Sequence, residues 1–350
     1  MSKQNIFGLI AVLFAILTTS LDAETGWYTN VQEAIRDGEI VSKLDLTGKN
    51  LTIVPQDVFK LGNLKELRLS HNPITDLPSG IGNLKYLEEL LINKAELSGL
   101  PSEIGSLRNL RRLSLIQNKL STLPSEIGSM TELEYLYVAD NQLTSLPLEI
   151  GNCRKLKRLY AFNNSLSNLP PEIGALDGLL ELYLSKNDLT VLPEEIGNLK
   201  SLRFLSLPAN RLSDLPDSIG NLEKLQVLDS RANGLVRIPP RIGKLTNLKN
   251  VQIDKNRIIS LPLEIGNLGA LTTLTMSENE LASLPASIGN LANLRSLDVT
   301  KNKIMRFPEE IGKLANLRKL SVDANLPEEE KMRLRNLLPN CKICFDEGKD

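Results

Sequence analysis

The chain has 350 residues, more than most single-core globular domains use, a limit that a repeat array escapes because each unit packs only on its neighbours. Its 41 basic and 42 acidic residues leave no charge excess for gripping nucleic acid or for holding a membrane surface by charge alone. Three cysteines are too few for a disulfide framework.

The chain opens on a targeting pattern. Lys3 precedes an unbroken apolar run of 12 residues, Ile6 to Leu17, and Leu21-Asp22-Ala23 offers a small residue at a cleavage point. A membrane-spanning helix needs roughly 20 such residues. Residues 1–23 are therefore expected to be a signal peptide. The mature protein is then exported, to the periplasm, the cell surface or the medium, with no stable membrane insertion.

Residues 24–43 read as an N-terminal cap. Thr29 to Ile35 suits a short helix with Thr29 as its N-cap, and Val31, Ala34 and Ile35 could cover the unit that follows. From 44 to 325 the sequence repeats every 23 residues, giving about 13 units. The frame is L-x-x-L-x-L-x-x-N-x-L-x-x-L-P-x-x-I-G-x-L-x-x. Its asparagine recurs at 72, 118 and 141, then in every unit to Asn302 and Asn325, with Lys49 and Ala95 as exceptions. Eleven of the 22 glycines fall in the Ile-Gly step and twelve of the 18 prolines in the apolar-Pro step, so these residues belong to the period and not to separate loops.

The alternation Leu-x-Leu predicts a short strand with its leucines inward. One strand cannot bury that edge alone, but stacked units share a continuous core. The asparagine can serve backbone groups where the chain leaves the strand. The proline should set an outer turn, and the Ile-Gly step should plug the core and bend the chain. Ala161 and Ser230 stand at strand positions that other units fill with larger apolar residues, which predicts a locally thinner core. The expected fold class is α/β: a curved horseshoe solenoid with a parallel sheet on its concave face and a helical cap at each end.

Residues 326–350 read as the second cap. Pro327 and Glu328 to Glu330 open a helix whose apolar side is Met332, Leu334, Leu337 and Leu338. Ile343 and Phe345 then make a fourteenth strand that closes the core, and Asp346 to Asp350 form a polar tail. Cys341 and Cys344 lie on that strand, three apart and so on opposite faces, which disfavours a redox or metal pair. Cys153 takes a leucine position and should be a buried thiol.

The frame L-P-x-E-I-G-x-L-x-x-L-x-x-L-x-L-x-x-N resembles that of leucine-rich-repeat proteins. With the leader, the helix from Tyr28 to Ile35, the strand Val41 to Leu46 and the closing Leu337 to Cys341, the chain is similar to the exported leucine-rich-repeat proteins of pathogenic spirochaetes, the leptospiral type. The 23-residue frame also resembles the Ras-associated intracellular scaffolds. The first resemblance implies an exported protein directed at host surfaces, a virulence role, with no catalytic residue to carry over.

In such a solenoid the information lies between the frame residues. Tyr137, Tyr160 and Tyr183 fall between the strand leucines of three successive units, so their rings should form a ladder on the concave face. Tyr135 and Phe204 occupy the position before the first strand leucine, and Phe162 the position after the second, with Ile116 and Val227 at the margins. Arg111 and Arg112 flank this patch on one side and Arg203, Asp229, Arg231 and Asp254 on the other, with Lys157 and Arg158 within it. Exposed aromatic and arginine clusters mark protein interfaces. Aromatic residues also favour strands for packing alone.

Glu194-Glu195 and Glu309-Glu310 recur at an outer position and read as a solvated face, and His71 reads as a surface histidine. No phosphate loop, metal spacing or nucleophile elbow is found. The reading is a non-enzymatic module binding a host or other extracellular protein, with no cofactor and no nucleic acid. Its competitors are an intracellular signalling scaffold, a structural element of the envelope, and a repeat-bearing ubiquitin ligase. The last would need a catalytic domain, but only the cap follows Asn325.

Overall fold

The computed structural model describes residues 26–38 and 41–346. The expected signal peptide and residues 347–350 lie outside them. The described residues form a solenoid whose 14 strands make one sheet in strict chain order, from β1 (Lys43–Asp45) to β14 (Lys342–Asp346). Every pair is parallel, and the register advances by one repeat, as in Leu136↔Leu159 and Leu159↔Leu182. The strand leucines are fully buried and belong to one continuous core that runs the length of the chain.

The proline step does more than turn the chain. Each proline precedes a one-turn 3-10 helix, such as Ser125–Ser129 after Pro124. There the Ile127 amide donates to the Pro124 carbonyl at 3.1 Å, and the Met130 amide to the Ile127 carbonyl at 3.1 Å. The isoleucine is buried as expected. The glycine has a different role from the one expected. A Cβ on Gly128 would lie 2.5 Å from the Glu149 carbonyl oxygen of the next unit. Glycine is required there because successive turns pack in backbone contact, not because the chain bends.

The asparagines form the expected ladder. In Asn187 the side-chain carbonyl accepts from the Leu166 amide at 3.0 Å, while Nδ2 donates to the Ala161 and Leu184 carbonyls, each at 3.0 Å. Each asparagine thus ties two units together. Ala95 breaks the ladder, and the Ile74 amide, which a side chain at 95 would have served, donates to the Asn72 carbonyl at 2.8 Å instead. Asn325 does not extend the ladder: it is exposed, because β13 (Lys319–Asp323) runs on and Asp323 takes the amides of Lys301 and Asn302. The residue before each ladder position is left-handed, from His71 (φ 58°) to Lys301 (φ 56°), which aims its amide at the next unit.

Both caps are present, with corrections. Helix α1 (Val31–Asp37) is capped by Asn30 rather than Thr29: the Asn30 side chain accepts from the Gln32 amide at 2.8 Å. Ala34 is buried, and Val31 and Ile35 pack on the core. Helix α2 (Glu328–Leu337) buries Leu334, with Leu338 just beyond it, but Met332 is 59% exposed and belongs to the outer side. Asp346 belongs to β14, not to a tail, and Ile343 and Phe345 stay half-buried, so the last strand leaves the core end partly open. Cys153 is buried as expected: its thiol donates to the Ile127 carbonyl at 3.4 Å, and burial pushes it up to about 11. Ala161 and Ser230 are fully enclosed, and the Ser230 hydroxyl finds no hydrogen-bond partner.

Candidate protein-binding surface

The concave face is built from the residues between the strand leucines, one per unit. In β5 (Tyr135–Tyr137), β6 (Arg158–Tyr160) and β7 (Glu181–Tyr183) the parallel register sets Tyr137, Tyr160 and Tyr183 side by side. Their rings form the expected ladder. The centroids of Tyr137 and Tyr160 are 4.9 Å apart, those of Tyr160 and Tyr183 4.7 Å and near perpendicular, and Tyr135 stacks on Tyr137 at 6.3 Å. Tilted and edge-on contacts suit the ring quadrupole.

The ladder is not all surface. Tyr137 is 6% exposed and Tyr160 4%, and with Ile116 and Ala139 they form a second, smaller hydrophobic cluster above the sheet. Tyr135, Phe162 and Tyr183 are half-buried against it. The expected exposed patch is thus an aromatic platform: two tyrosines are its base, and three rings are its accessible rim. Phe204, on β8 (Phe204–Ser206), is half-buried and lies outside that cluster, and Arg203 beside it is exposed.

Charge is arranged around the base. The Tyr160 hydroxyl donates to Glu181 at 2.5 Å, and Arg158 donates to the other Glu181 oxygen at 3.0 Å. The guanidinium of Arg158 also lies 5.6 Å from the Tyr135 ring centre, and that of Arg112 5.1 Å from it. Burial, then the bond to Glu181, pushes the Tyr160 phenol far above its ordinary value. Burial first, with the nearby Glu181 charge adding to it, takes Tyr183 up to about 12, and burial outweighs the lowering by Arg112 and Arg158 to lift Tyr137. Arg112 pairs with Glu89 at 3.3 Å, and burial raises that carboxyl despite the pairing. Glu181 was not singled out from the sequence. The signal was present, since it stands one repeat after Arg158.

The remaining charges are mostly spent within the solenoid. Lys157 pairs with Glu134 at 2.6 Å and Arg231 with Asp229 at 2.7 Å, while Asp254 accepts from Thr275 and Ser277. Arg111 and Arg203 are exposed and in no ion pair among the described residues. Glu194 and Glu195 sit in the first turn of a 3-10 helix on the outer side, and His71 is exposed at the left-handed position. Cys341 and Cys344 are free thiols. Among the described residues no three His, Cys, Asp or Glu side chains come together as a metal group, and no helix is long and apolar enough to cross a membrane.

A family described as a leucine-rich repeat region matches residues 40–143, 92–182, 125–207, 194–259 and 241–338. The chain is a leucine-rich-repeat protein. A solved leucine-rich-repeat protein of Leptospira interrogans is 31% identical over 92% of this chain and 100% of its own, with a TM-score of 0.63. That match bears out the resemblance to the leptospiral type. An internalin (InlF) of Listeria monocytogenes is 23% identical over 92% of this chain and 90% of its own, with a TM-score of 0.75, a likeness of fold alone. A chain of the Drosophila Toll–Spätzle complex is 26% identical over 86% of this chain and 43% of its own, with a TM-score of 0.72. No curated protein sequence matches. Leucine-rich-repeat solenoids are in general scaffolds for protein binding rather than catalysts, and this chain shares that architecture throughout its repeats.

Proposed function

We propose that this leucine-rich-repeat protein is exported and binds an extracellular protein, one of host origin, through the concave face of units five to seven. The observation that carries the reading is the aromatic platform. Tyr135, Phe162 and Tyr183 present half-exposed rings on a base already immobilised by Tyr137 and Tyr160. Rings fixed before binding lose little freedom on binding, and aromatic and arginine side chains dominate interface energies. Arg112, Arg158, Arg203 and Phe204 complete the surface and would steer and orient the ligand. A protein ligand is in keeping with the Toll–Spätzle relative. Export rests on the leader pattern in residues 1–23, and the host-directed part on the likeness to the spirochaete proteins.

The test is binding of the purified protein to host cells and to a panel of cell-surface ectodomains. The companion variant is Tyr135→Ser, Phe162→Ser and Phe204→Ser together, which spares the buried base. Saturable binding that weakens at least about thirtyfold in the variant is the expected result. Unchanged binding would move the site elsewhere on the solenoid. Absence of any saturable ligand outside the cell would favour a structural place in the envelope. Sequencing the N-terminus of protein from its native cell tests export: a start near Glu24 is expected, and an intact leader would return the chain to the intracellular scaffolds.

A further inference from the structure

The two ends of the sheet are not alike. At the first end Tyr28 adds a parallel bridge to Leu44, and α1 covers the core. At the other end β14 pairs with β13 on one side, and among the described residues no strand lies on its far side. β14 and β13 have five residues each, whereas the other strands have three.

The backbone of β14 alternates between its two sides. The Lys342 amide donates to the Arg318 carbonyl and the Asp346 carbonyl accepts from the Ala324 amide, each at 2.9 Å. In a parallel ladder, alternate residues turn both their amide and their carbonyl to the same neighbour. Lys342, Cys344 and Asp346 therefore face β13, and Ile343 and Phe345 turn theirs outward. The side chains of Ile343 and Phe345 pack on the end of the core but remain half-exposed. An open edge with apolar residues is a template for a further strand.

We propose that a second copy of this chain pairs with β14 across a two-fold axis, antiparallel, in a register centred on Cys344. The segment Lys342-Ile343-Cys344-Phe345-Asp346 is complementary to its own reverse. In this register Lys342 faces Asp346 of the second copy, Ile343 faces its Phe345, and Cys344 faces its own counterpart. The outward amides and carbonyls of Ile343 and Phe345 then form the narrow hydrogen-bonded pairs, and the Cys344 pair falls in the other class, as an antiparallel ladder demands. A one-residue slip would put the apolar side chains on the wrong face. A head-to-tail filament would need the first sheet edge, which Tyr28 occupies. A lone edge lysine deters pairing, but here the aspartate four residues on makes it fix the register instead.

Sedimentation velocity on the purified full chain tests this across micromolar to high micromolar concentrations. A concentration-dependent dimer is expected. Lys342→Asp or Asp346→Lys alone places two like-charge pairs in the interface and should weaken it about tenfold or more, with an unchanged circular dichroism spectrum. The double swap Lys342→Asp with Asp346→Lys should restore it. Register is read separately by trapping with diamide, which takes one hydrogen from each of two Cys344 thiols as the sulfurs join. The pair's Cα separation in this ladder class, about 4.5 Å, lies within disulfide reach. Cross-linked dimer should form in the native protein and in Cys341→Ser, and be lost in Cys344→Ser. A monomer at all concentrations, or a dimer indifferent to the charge swaps, overturns the proposal. A cross-link that survives Cys344→Ser overturns the register.

Discussion

Units five to seven and units nine to twelve share one backbone and one register, yet their concave faces differ in kind. In the first stretch Tyr137 and Tyr160 are buried above the sheet, so the sheet is covered on both faces. In the second, the corresponding positions hold Asp229, Gln252, Thr275 and Asp298, and the face is knit by short polar bonds. Thr275 donates to Asp254 at 2.5 Å and Thr300 to Asp298 at 2.8 Å. The lesson is that the frame residues carry the solenoid everywhere, so the positions between them are free to build a second small core. A platform for binding can be added without altering the backbone beneath it.

The largest test of that contrast is truncation at one register position in both stretches. Tyr160→Ala should cost about 3–5 kcal/mol, the loss of a large buried ring and the contacts around it. Thr275→Ala, five units on, should cost about 1 kcal/mol, the worth of one hydrogen bond. Chemical denaturation monitored by circular dichroism reads both, and equal losses would erase the distinction between the two faces.

Alkaline pH should expose the same difference. The folded phenols of Tyr137, Tyr160 and Tyr183 lie above the ordinary value near 10. Above that pH the unfolded chain loses protons that the folded chain keeps, so stability present below about pH 10 declines as pH rises toward and past 12. Phenolate absorbance from these three rings should appear together with the loss of circular dichroism. Replacing all three by Phe should move the alkaline midpoint upward, and ionisation of Tyr137 or Tyr160 well before unfolding would mean the base is open to water.

Smaller effects probe the frame between and beneath the two stretches. Ser230→Ala removes a buried hydroxyl with no partner and should raise stability by about 1 kcal/mol, seen as a higher melting temperature. Ala209→Gly and Ala232→Gly relieve left-handed backbone at φ 55° and 51°. Each should gain about 0.5 kcal/mol after the extra chain entropy of glycine is subtracted. A loss at either alanine would mean its methyl group packs on something the frame needs.

Much of this was legible in the residues themselves. Leu-x-Leu alternation at a fixed 23-residue period determined the strands, their parallel order and their inward faces, because only stacking of identical units buries such an edge. The asparagine ladder and the tyrosine ladder followed from the same period, since parallel strands one repeat apart must align equivalent positions. Even the left-handed turns left a trace in Gly48, His71, Asp140 and Asn163, residue types that tolerate this backbone, but Ala209 and Glu278 at the same position hid it.

Tertiary structure alone decided how much of each ring water can reach. Burial depends on the height of neighbouring side chains, so Tyr137 and Tyr160 became a base while Tyr183, at the same repeat position, joined Tyr135 and Phe162 in the rim. It also decided that the glycines serve contact between units rather than bends, because the Glu149 carbonyl that excludes a Cβ at Gly128 belongs to the next turn of the solenoid. The same holds at the end of the sheet. Ile343 and Phe345 follow the core pattern to the last residue, but a core position is buried only when another unit lies beyond it.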